Sequence, residues 1–191
     1  MGIVYYPDLI QGSDEWLKAR LGLLTASQGK HIVTPTLKSA SNDKERALMW
    51  ELMAQRITGY IEPQYWNDDM LRGQDDEVDA IMLYDKNYEQ TQTMGFITND
   101  KWGFTLGYSP DGLVGDDGLV ECKSHNQKLQ IKTIVDYVSG DSIDPDFMIQ
   151  CQMGLLVSER KWIDLISYCG GLPMVTVRVL PNEAIQNAIL F

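Results

Sequence analysis

Three charged residues lie close together in SPDGLVGDDGLVECKS, the segment that spans residues 109–124. They are Asp111, then Glu121, and then Lys123 two residues after the glutamate. Side chains alternate between the two faces of a strand, so a strand over GLVECKS places Glu121 and Lys123 on one face. Asp111 belongs to a Pro-Asp-Gly turn and can come beside them if the neighbouring strands form a hairpin. Two carboxylates and a lysine would then share one surface.

This combination is suited to metal-assisted hydrolysis. Mg²⁺ takes one or two carboxylates and completes its shell with water and phosphate oxygens. An adjacent lysine can orient or deprotonate the attacking water, or stabilise the developing charge. Two simpler interpretations stay open, namely a common turn aspartate and a solvated Glu–Lys ion pair. A calcium loop is excluded, because the residues after Asp111 lack oxygens at alternate positions around a glycine at the sixth.

Helices are predicted to position these residues from the N-terminal side. Ser13 is a candidate N-cap for SDEWLKAR, which Gly22 can close, and Thr25 is a candidate N-cap for the next segment. Ser27 and nearby amides would then lie in a first helical turn, which suits an anion. Two longer helices are predicted over NDKERALMWELMAQRITG, ending before Gly59, and over WNDDMLRGQDDEVDAIMLYDKNYEQ.

The last of these helices carries an apolar stripe that one carboxylate interrupts. Its members recur at helical spacing and are Met70, Glu77, Ile81, Tyr84 and Tyr88. The stripe directs Glu77 inward. The neighbouring acids Asp75, Asp76 and Asp79 are expected to face water.

The periodicity then changes from helix to strand. TMGFIT, WGFTLGYS and GLVECKS alternate with turn residues and predict an antiparallel meander. A helix near 126–138 precedes a helix over DPDFMIQCQMGLLVS, which Asp144 and Pro145 open. Strands over KWIDLISYCG and PMVTVRVL and a closing helix over PNEAIQNAIL complete the chain. This order predicts an α/β or α+β fold with a central mixed sheet flanked by helices, as one domain over 1–191.

Composition places limits on the function. The 191 residues carry a formal charge of -11, which at first argues against nucleic acid, because binding to phosphates usually relies on Lys and Arg. The acid is concentrated in residues 49–100, whereas residues 1–48 are nearly neutral. Three cysteines at irregular spacing favour a reducing cytoplasm, and no segment resembles a membrane span.

Five segments taken in order resemble the lambda-exonuclease (YqaJ-type viral recombinase) family of the PD-(D/E)xK nuclease superfamily. They are GSDEWLKARLGLLTAS at 12–27, RGQDDEVDA at 72–80, SPDG at 109–112, VECKS at 120–124 and FMIQCQMGLLVS at 147–158. The resemblance implies a restriction-endonuclease-like core. It also implies a Mg²⁺-dependent exonuclease that degrades one strand of linear double-stranded DNA from its 5′ end. The products would be mononucleotides and a 3′ overhang for recombination by single-strand annealing.

The resemblance assigns roles around the cation. Asp111 and Glu121 match the metal-binding acids, and the main-chain carbonyl of Cys122 matches a further ligand. Lys123 matches the lysine that activates the attacking water. Glu77 matches a helix glutamate that supports the metal and its waters. Two Mg²⁺ ions are implied for each site, with Mn²⁺ expected to substitute.

The resemblance also assigns residues to the 5′ phosphate of the DNA end, namely Arg20, Ser27 and Gln150, whereas Gln152 matches a second glutamine without a firm role. Arg20 could grip a terminal phosphate bidentately. The alternatives are an Arg20–Asp14 surface pair, a Ser27 that only caps its helix, a Gln150 that is a satisfied core polar group and a Glu77 held by a basic partner. Segment 125–146 cannot be matched residue by residue.

Family members form homotrimeric rings around DNA, so a ring is implied here, and a single-strand annealing protein is the implied partner. The implied location is the cytoplasm of a bacterial host, for a phage or prophage gene. Mg²⁺ at the acids would reduce their repulsion of phosphate, and the N-terminal cations Lys18, Arg20, Lys30 and Lys38 would line the ring. The remaining alternatives are a sequence-specific or structure-specific endonuclease and a non-catalytic module that binds DNA ends.

Overall fold

The computed structural model describes residues 2–62, 68–140 and 143–191, with the backbone alone for 68–70. Its strands form two mixed sheets. The four-stranded sheet has the order β1 (Ile3–Tyr6), β4 (Phe96–Asn99), β5 (Leu106–Tyr108) and β2 (Leu24–Thr25). The five-stranded sheet has the order β3 (Thr91–Gln92), β6 (Gly112–Val114), β7 (Gly118–Ser124), β8 (Trp162–Tyr168) and β9 (Val175–Val179).

One parallel pair lies in each sheet. β2 runs parallel to β5, and β7 runs parallel to β8, whereas the other neighbours are antiparallel. The mixed α/β fold with helices flanking sheets is therefore confirmed. The strands β1, β2, β3 and β6 were not predicted from the sequence.

The predicted three-stranded meander is wrong. β4 pairs with β5, and β6 pairs with β7, but the two hairpins belong to different sheets. Ser109, Pro110 and Asp111 form the connection between them. Proline has no N–H to give to a ladder, so pairing is interrupted where the chain changes sheets. The strand β6 begins at Gly112, directly after the aspartate.

Side-chain caps begin several helices, and the predicted caps Ser13 and Asp144 are among them. Ser13 Oγ accepts the amide N–H of Trp16 at the start of the first helix, and Asn42 Oδ1 accepts two amides at the start of the second. Asp144 caps a helix that has Pro145 at its first position. The helices are α1 (Asp14–Arg20), α2 (Asp43–Thr58), α3 (Asp68–Asn87), α4 (Gln127–Ser139), α5 (Pro145–Ser158) and α6 (Glu183–Leu190).

A short 3₁₀ helix, Ala26–His31, takes the place of the second predicted helix. Thr25 precedes it, and its backbone N–H and its hydroxyl both donate to Oε1 of Gln28. Ser27 is exposed in the first turn of this helix. The position predicted for Ser27 is therefore confirmed, although the helix is 3₁₀ rather than α.

The buried face of α3 differs in part from the predicted stripe, and Tyr84 is common to both. Asp76, Ala80 and Tyr84 are buried, whereas Glu77 is half-buried and Tyr88 is exposed. The expectation that Asp76 faces water is wrong, because its carboxylate accepts a hydrogen bond from Ser124 Oγ at 2.5 Å and lies 3.8 Å from Nε of Arg72. The predicted helix start at 66–67 and the side chain of Met70 lie outside the described residues.

The helix α5 forms the centre of the larger core. Nearly all of its residues from Ile149 to Ser158 are buried, and it contacts both sheets, the 3₁₀ helix and α6. Gly154 allows the closest of these contacts. A Cβ atom at Gly154 would lie 2.8 Å from Cζ of Tyr108, so only glycine lets that ring lie against the helix. No helix among the described residues is long and apolar enough to span a membrane.

Candidate active site

The β6–β7 hairpin brings the two predicted acids together. Gly112 is paired with Val120, so Asp111 lies opposite Glu121. The backbone amide of Asp111 donates to the carbonyl of Val120 at 3.2 Å, and the amide of Cys122 donates to Oδ2 of Asp111 at 2.6 Å. The predicted hairpin between WGFTLGYS and GLVECKS is wrong, because β7 pairs with β6, a strand that was not predicted and that begins directly after Asp111; the expected proximity of Asp111 and Glu121 is nevertheless present.

Glu121 is 3% exposed, and each of its oxygens has a donor. Oε2 accepts the hydroxyl of Tyr108 at 2.8 Å. Oε1 accepts Nζ of Lys123 at 2.9 Å and Nε2 of Gln150. A buried carboxylate needs such donors, because an unpaired charge in the interior is strongly unfavourable. The interpretation of Glu121 and Lys123 as a solvated surface pair does not fit this burial.

Lys123 is the cation of the cluster. Its Nζ donates to Glu121 and also to Oε1 of Gln150 at 2.9 Å, and it lies 5.5 Å from the ring centre of Phe147. Burial alone would lower the pKa of Lys123, but the carboxylates of Glu121 and Asp111 outweigh burial and raise it. The protein therefore holds this side chain as an ammonium that donates hydrogen bonds.

Glu77 reaches the same cluster from α3. Burial raises the pKa of Glu77, the charge of Glu121 raises it further, and Lys123 opposes both. Burial also raises the pKa of Asp111 well above its ordinary value, with Glu121 and Glu77 adding to the effect. Three carboxylates thus repel one another across a space that contains one lysine. An added cation would relieve this repulsion.

The donor set fits a hard divalent cation. Cys122 lies in an extended strand, where the N–H and C=O of a residue point to the same side, so its carbonyl faces Asp111 as its amide does. Asp111, Glu121 and this carbonyl supply oxygens of the kind that Mg²⁺ prefers, with room for waters. Within residues 2–62, 68–140 and 143–191, no group of three His, Cys, Asp or Glu side chains is arranged so that it could hold a metal ion. In this arrangement Oε1 of Glu121 accepts hydrogen bonds from Lys123 and Gln150.

A cleft of about 470 Å³ opens onto the acids. Glu77 and Asp111 line it together with Gln11, Gln74 and Thr93. A second groove of about 580 Å³ is lined by Arg72 and Asp76 of α3 and by His125, two residues beyond Lys123 on the chain. Solvent and a polar substrate can therefore approach the cluster from the side of α3.

Arg20 lies beside the connection that carries Asp111. Its Nη1 donates to Ser109 Oγ at 3.0 Å, its Nη2 donates to Thr25 Oγ1 at 3.3 Å, and its guanidinium lies 4.0 Å from the centre of the Trp16 ring. Burial lowers the pKa of Arg20 to about 10. The recorded ion pairs of the described residues do not include Arg20, so the alternative pairing with Asp14 is wrong.

Two of the three residues assigned to the phosphate, Arg20 and Gln150, have different hydrogen-bond partners among the described residues. Ser27 follows Thr25 by two residues, and Thr25 is the residue that Arg20 contacts, so both lie at the start of the 3₁₀ helix. Gln150 instead bonds to Glu121 and Lys123. It is therefore a member of the acid cluster and not an isolated polar group of the core.

Gln152 has a structural role. It is fully buried, its Nε2 donates to the carbonyl of Leu180 at 2.7 Å, and its Oε1 accepts the amide of Asn182 at 2.7 Å. These bonds join α5 to the segment between β9 and α6. The two glutamines of this helix thus point to different parts of the molecule.

Sequence reasoning missed Trp16, Tyr108 and Ser109. Trp16 Nε1 donates to Ser109 Oγ at 3.0 Å and to the carbonyl of Gly95 at 3.1 Å, and it supports Arg20. Tyr108 and Ser109 directly precede the Pro-Asp-Gly segment, which was the available signal. Their partners lie on other elements, so local spacing does not identify them.

Comparisons with known proteins identify the family of the chain. The model of the YqaJ-like viral recombinase domain matches residues 15–161. The alkaline exonuclease LHK-Exo from Laribacter hongkongensis is similar in structure, with a TM-score of 0.79, 30% identity and coverage of 93% of this chain and 89% of that chain. A structure of LHK-Exo in complex with dAMP gives a TM-score of 0.80, 32% identity and coverage of 93% and 87%.

A more distant structure extends the likeness in fold. A phage-related exonuclease from Haemophilus somnus 129PT has a TM-score of 0.55 at 13% identity, with coverage of 87% of this chain and 88% of that chain. This likeness concerns the fold alone. No curated protein sequence matches the chain significantly.

Proposed function

The chain belongs to the YqaJ-like viral recombinase family, and from this premise we propose that it is a metal-dependent exonuclease that acts on the ends of linear double-stranded DNA. It removes mononucleotides from one strand in the 5′-to-3′ direction and leaves a 3′ overhang for annealing. The observation that carries this proposal is the cluster of Asp111, Glu121 and Lys123 at the β6–β7 hairpin, with Glu77 beside it.

We assign the cation site to Asp111, Glu121 and the carbonyl of Cys122, with Glu77 supporting bound waters. The cofactor is Mg²⁺, as two ions, and Mn²⁺ substitutes for it. When bound, the ions supply an activated water and stabilise the leaving 3′ oxygen. The raised pKa values of Asp111 and Glu77 support the assignment, because these carboxylates lack enough positive charge of their own.

Lys123 orients the attacking water and stabilises the developing negative charge. Its raised pKa favours the ammonium, which can donate but cannot accept a proton. Orientation is therefore the better of the two roles that a lysine could have here. Gln150 holds Nζ of Lys123 at 2.9 Å and keeps the ammonium over the acids.

Arg20, Ser27 and Gln150 bind the 5′ phosphate, and the Gln150 amide contacts it from the side of the acid cluster. Arg20 suits this role because its charge has no carboxylate partner among the described residues, while Trp16 and Ser109 fix its position. A guanidinium can donate two parallel hydrogen bonds to one phosphate. Recognition of a terminal phosphate would separate a chain end from internal DNA.

The same proposal includes a homotrimeric ring that encloses the duplex and a single-strand annealing protein that receives the overhang, in the cytoplasm of a bacterial host. Enclosure would retain an acidic enzyme on DNA despite its net charge of -11. Light scattering with and without duplex DNA tests the ring. A trimeric mass supports it, and a monomer in both conditions rejects it.

The reaction is tested on linear duplexes with a 5′ phosphate or a 5′ hydroxyl, with and without Mg²⁺. We expect mononucleotides from the 5′-phosphorylated strand in the presence of Mg²⁺, and an intact circular duplex. Cleavage of the circle would indicate an endonuclease. Binding of ends without release of nucleotides in Mg²⁺ or Mn²⁺ would indicate a non-catalytic module.

A further inference from the structure

The side chain of Tyr108 donates a hydrogen bond to Glu121 from the four-stranded sheet, whereas Glu121 belongs to the five-stranded sheet. Tyr108 lies in β5 and pairs with Ile97 of β4, whereas Glu121 lies in β7. The bond of 2.8 Å from the hydroxyl to Oε2 therefore joins the four-stranded sheet to the carboxylate. It is formed in a part of the core from which solvent is excluded, since Tyr108 is 1% exposed and Glu121 is 3% exposed.

Packing leaves this tyrosine little freedom to move. A Cβ atom at Gly154 would lie 2.8 Å from Cζ of Tyr108, so helix α5 passes directly over the ring. Both ends of the hydrogen bond are therefore fixed, one by α5 and one by the β7 strand. With Oε2 held, rotation of the Glu121 carboxylate about its Cγ–Cδ bond is restricted.

The other oxygen of Glu121 has a different environment. Oε1 meets Lys123 and Gln150, which are side chains of the cluster that includes the cleft acid Asp111. The ammonium of Lys123 and the amide of Gln150 can shift to admit a cation, because both end flexible, half-buried side chains. The hydroxyl of Tyr108, which donates to Oε2, cannot shift in this way because α5 packs against its ring.

We propose that Tyr108 is a positioning residue that fixes Oε2 of Glu121 and thereby presents Oε1 to the divalent cation. This inference rests on the proposed function, because it requires the cation site. Partners that orient a metal ligand from behind commonly change metal affinity by about 10- to 100-fold when they are removed. Tyr108 would act on the cation through Glu121 without touching it.

The test is binding of Mn²⁺ to the DNA-free protein by titration calorimetry, with the variants Tyr108→Phe and Tyr84→Phe. Both substitutions remove one buried hydroxyl that donates to a buried carboxylate, since Tyr84 donates to Oδ2 of Asp164 at 2.6 Å. We expect Tyr108→Phe to weaken Mn²⁺ binding roughly tenfold and Tyr84→Phe to leave it unchanged. The preference for a 5′ phosphate should stay the same in both variants.

The outcomes separate this inference from the proposed function. Wild-type protein that does not bind Mn²⁺ would reject the cation site itself. If Tyr108→Phe bound Mn²⁺ as tightly as the wild-type protein, only the role of Tyr108 would be overturned. The same would follow if Tyr84→Phe lost as much Mn²⁺ affinity as Tyr108→Phe.

A second measurement needs no substitution. In wild-type crystals soaked with Mn²⁺, the tyrosine hydroxyl should remain on one oxygen of Glu121 while Mn²⁺ contacts the other. The role of Tyr108 would also be overturned if Mn²⁺ bound the oxygen that faces Tyr108, or if the hydrogen bond between Tyr108 and Glu121 were broken.

Discussion

At the scale of single residues, charge balance within the acid cluster decides what each side chain can do. Glu121 is satisfied by three donors, whereas Asp111 has one recorded donor, the amide of Cys122. Lys123 is the one ammonium in contact with these acids among the described residues. Its removal should therefore affect chemistry more than binding of the DNA end, which depends on other residues.

We expect Lys123→Ala to bind duplex ends and to lower the rate of cleavage by at least about 100-fold, the lower limit for loss of a preorganised donor that stabilises developing charge. Single-turnover nucleotide release measures the rate, and a gel shift measures binding. Lys161→Ala is the matched control, because Lys161 is exposed and pairs with Asp117 away from the acids. Near-normal turnover of Lys123→Ala would reject the assigned role.

Arg20 should determine which DNA ends are degraded. We expect Arg20→Ala to lose the preference for a 5′ phosphate over a 5′ hydroxyl, because a bidentate charge-assisted contact to the phosphate disappears. Competition between the two duplexes measures the preference. Arg46→Ala serves as the control, since Arg46 is exposed and pairs with Asp43 on α2. An undiminished preference in Arg20→Ala would assign phosphate recognition to other residues.

At the scale of elements, the helices were predictable and the sheets were only partly so. Ser13, Asn42 and Asp144 are local signals, and each begins its helix as a cap. Strand partners are set by distant packing, so the sequence could not show that β5 and β6 enter different sheets. The placement of Glu121 and Lys123 on one strand face was predictable from side-chain alternation, whereas the strand β6, which brings Asp111 opposite Glu121, was not predicted.

Contacts between elements explain the residues that were missed. Tyr108 reaches Glu121 from the other sheet, and Trp16 reaches Ser109 from α1. Asp76 is buried, against the prediction, because Ser124 at the end of β7 donates a hydrogen bond to its carboxylate. Apolar periodicity counts such a carboxylate as solvent-facing, so the prediction placed Asp76 in water.

Packing of α5 on Tyr108 gives a prediction for stability. Gly154→Ala should lower the free energy of unfolding by about 1–3 kcal/mol, because the new methyl group would overpack the core against the tyrosine ring. Gly73→Ala is the matched control in α3, where a Cβ atom meets nothing within 4 Å, and it should stabilise by up to about 1 kcal/mol. Urea denaturation measures both. A neutral effect of Gly154→Ala would show that the ring is free to move.

At the scale of the whole molecule, the acidity of the chain and the metal requirement are linked. A net charge of -11 opposes both folding and approach to DNA. Part of that charge is concentrated where burial and repulsion raise the pKa values of Asp111 and Glu77. Binding of a cation there would lower the repulsion within the protein and towards phosphate together.

Stability of the metal-free protein should therefore fall as pH rises. Between the ordinary carboxyl pKa of about 4 and the raised values of Asp111 and Glu77, the folded state holds more protons than the unfolded state, so deprotonation disfavours folding. Mg²⁺ should raise the melting temperature more at pH 8 than at pH 6. Asp111→Asn should reduce both the pH slope and the response to Mg²⁺. An equal response at both pH values would contradict this coupling.

The central claim is that a divalent cation held by the hairpin acids hydrolyses DNA termini. Its most direct test is nucleotide release from a labelled linear duplex by wild-type protein, Asp111→Asn and Asp116→Asn, with Mg²⁺ or with EDTA. Asp116 is an exposed acid of the same hairpin and serves as the matched control. We predict release by wild-type protein and Asp116→Asn in Mg²⁺ alone, and none by Asp111→Asn. Release at the wild-type rate by Asp111→Asn, or by wild-type protein in EDTA, would contradict the claim.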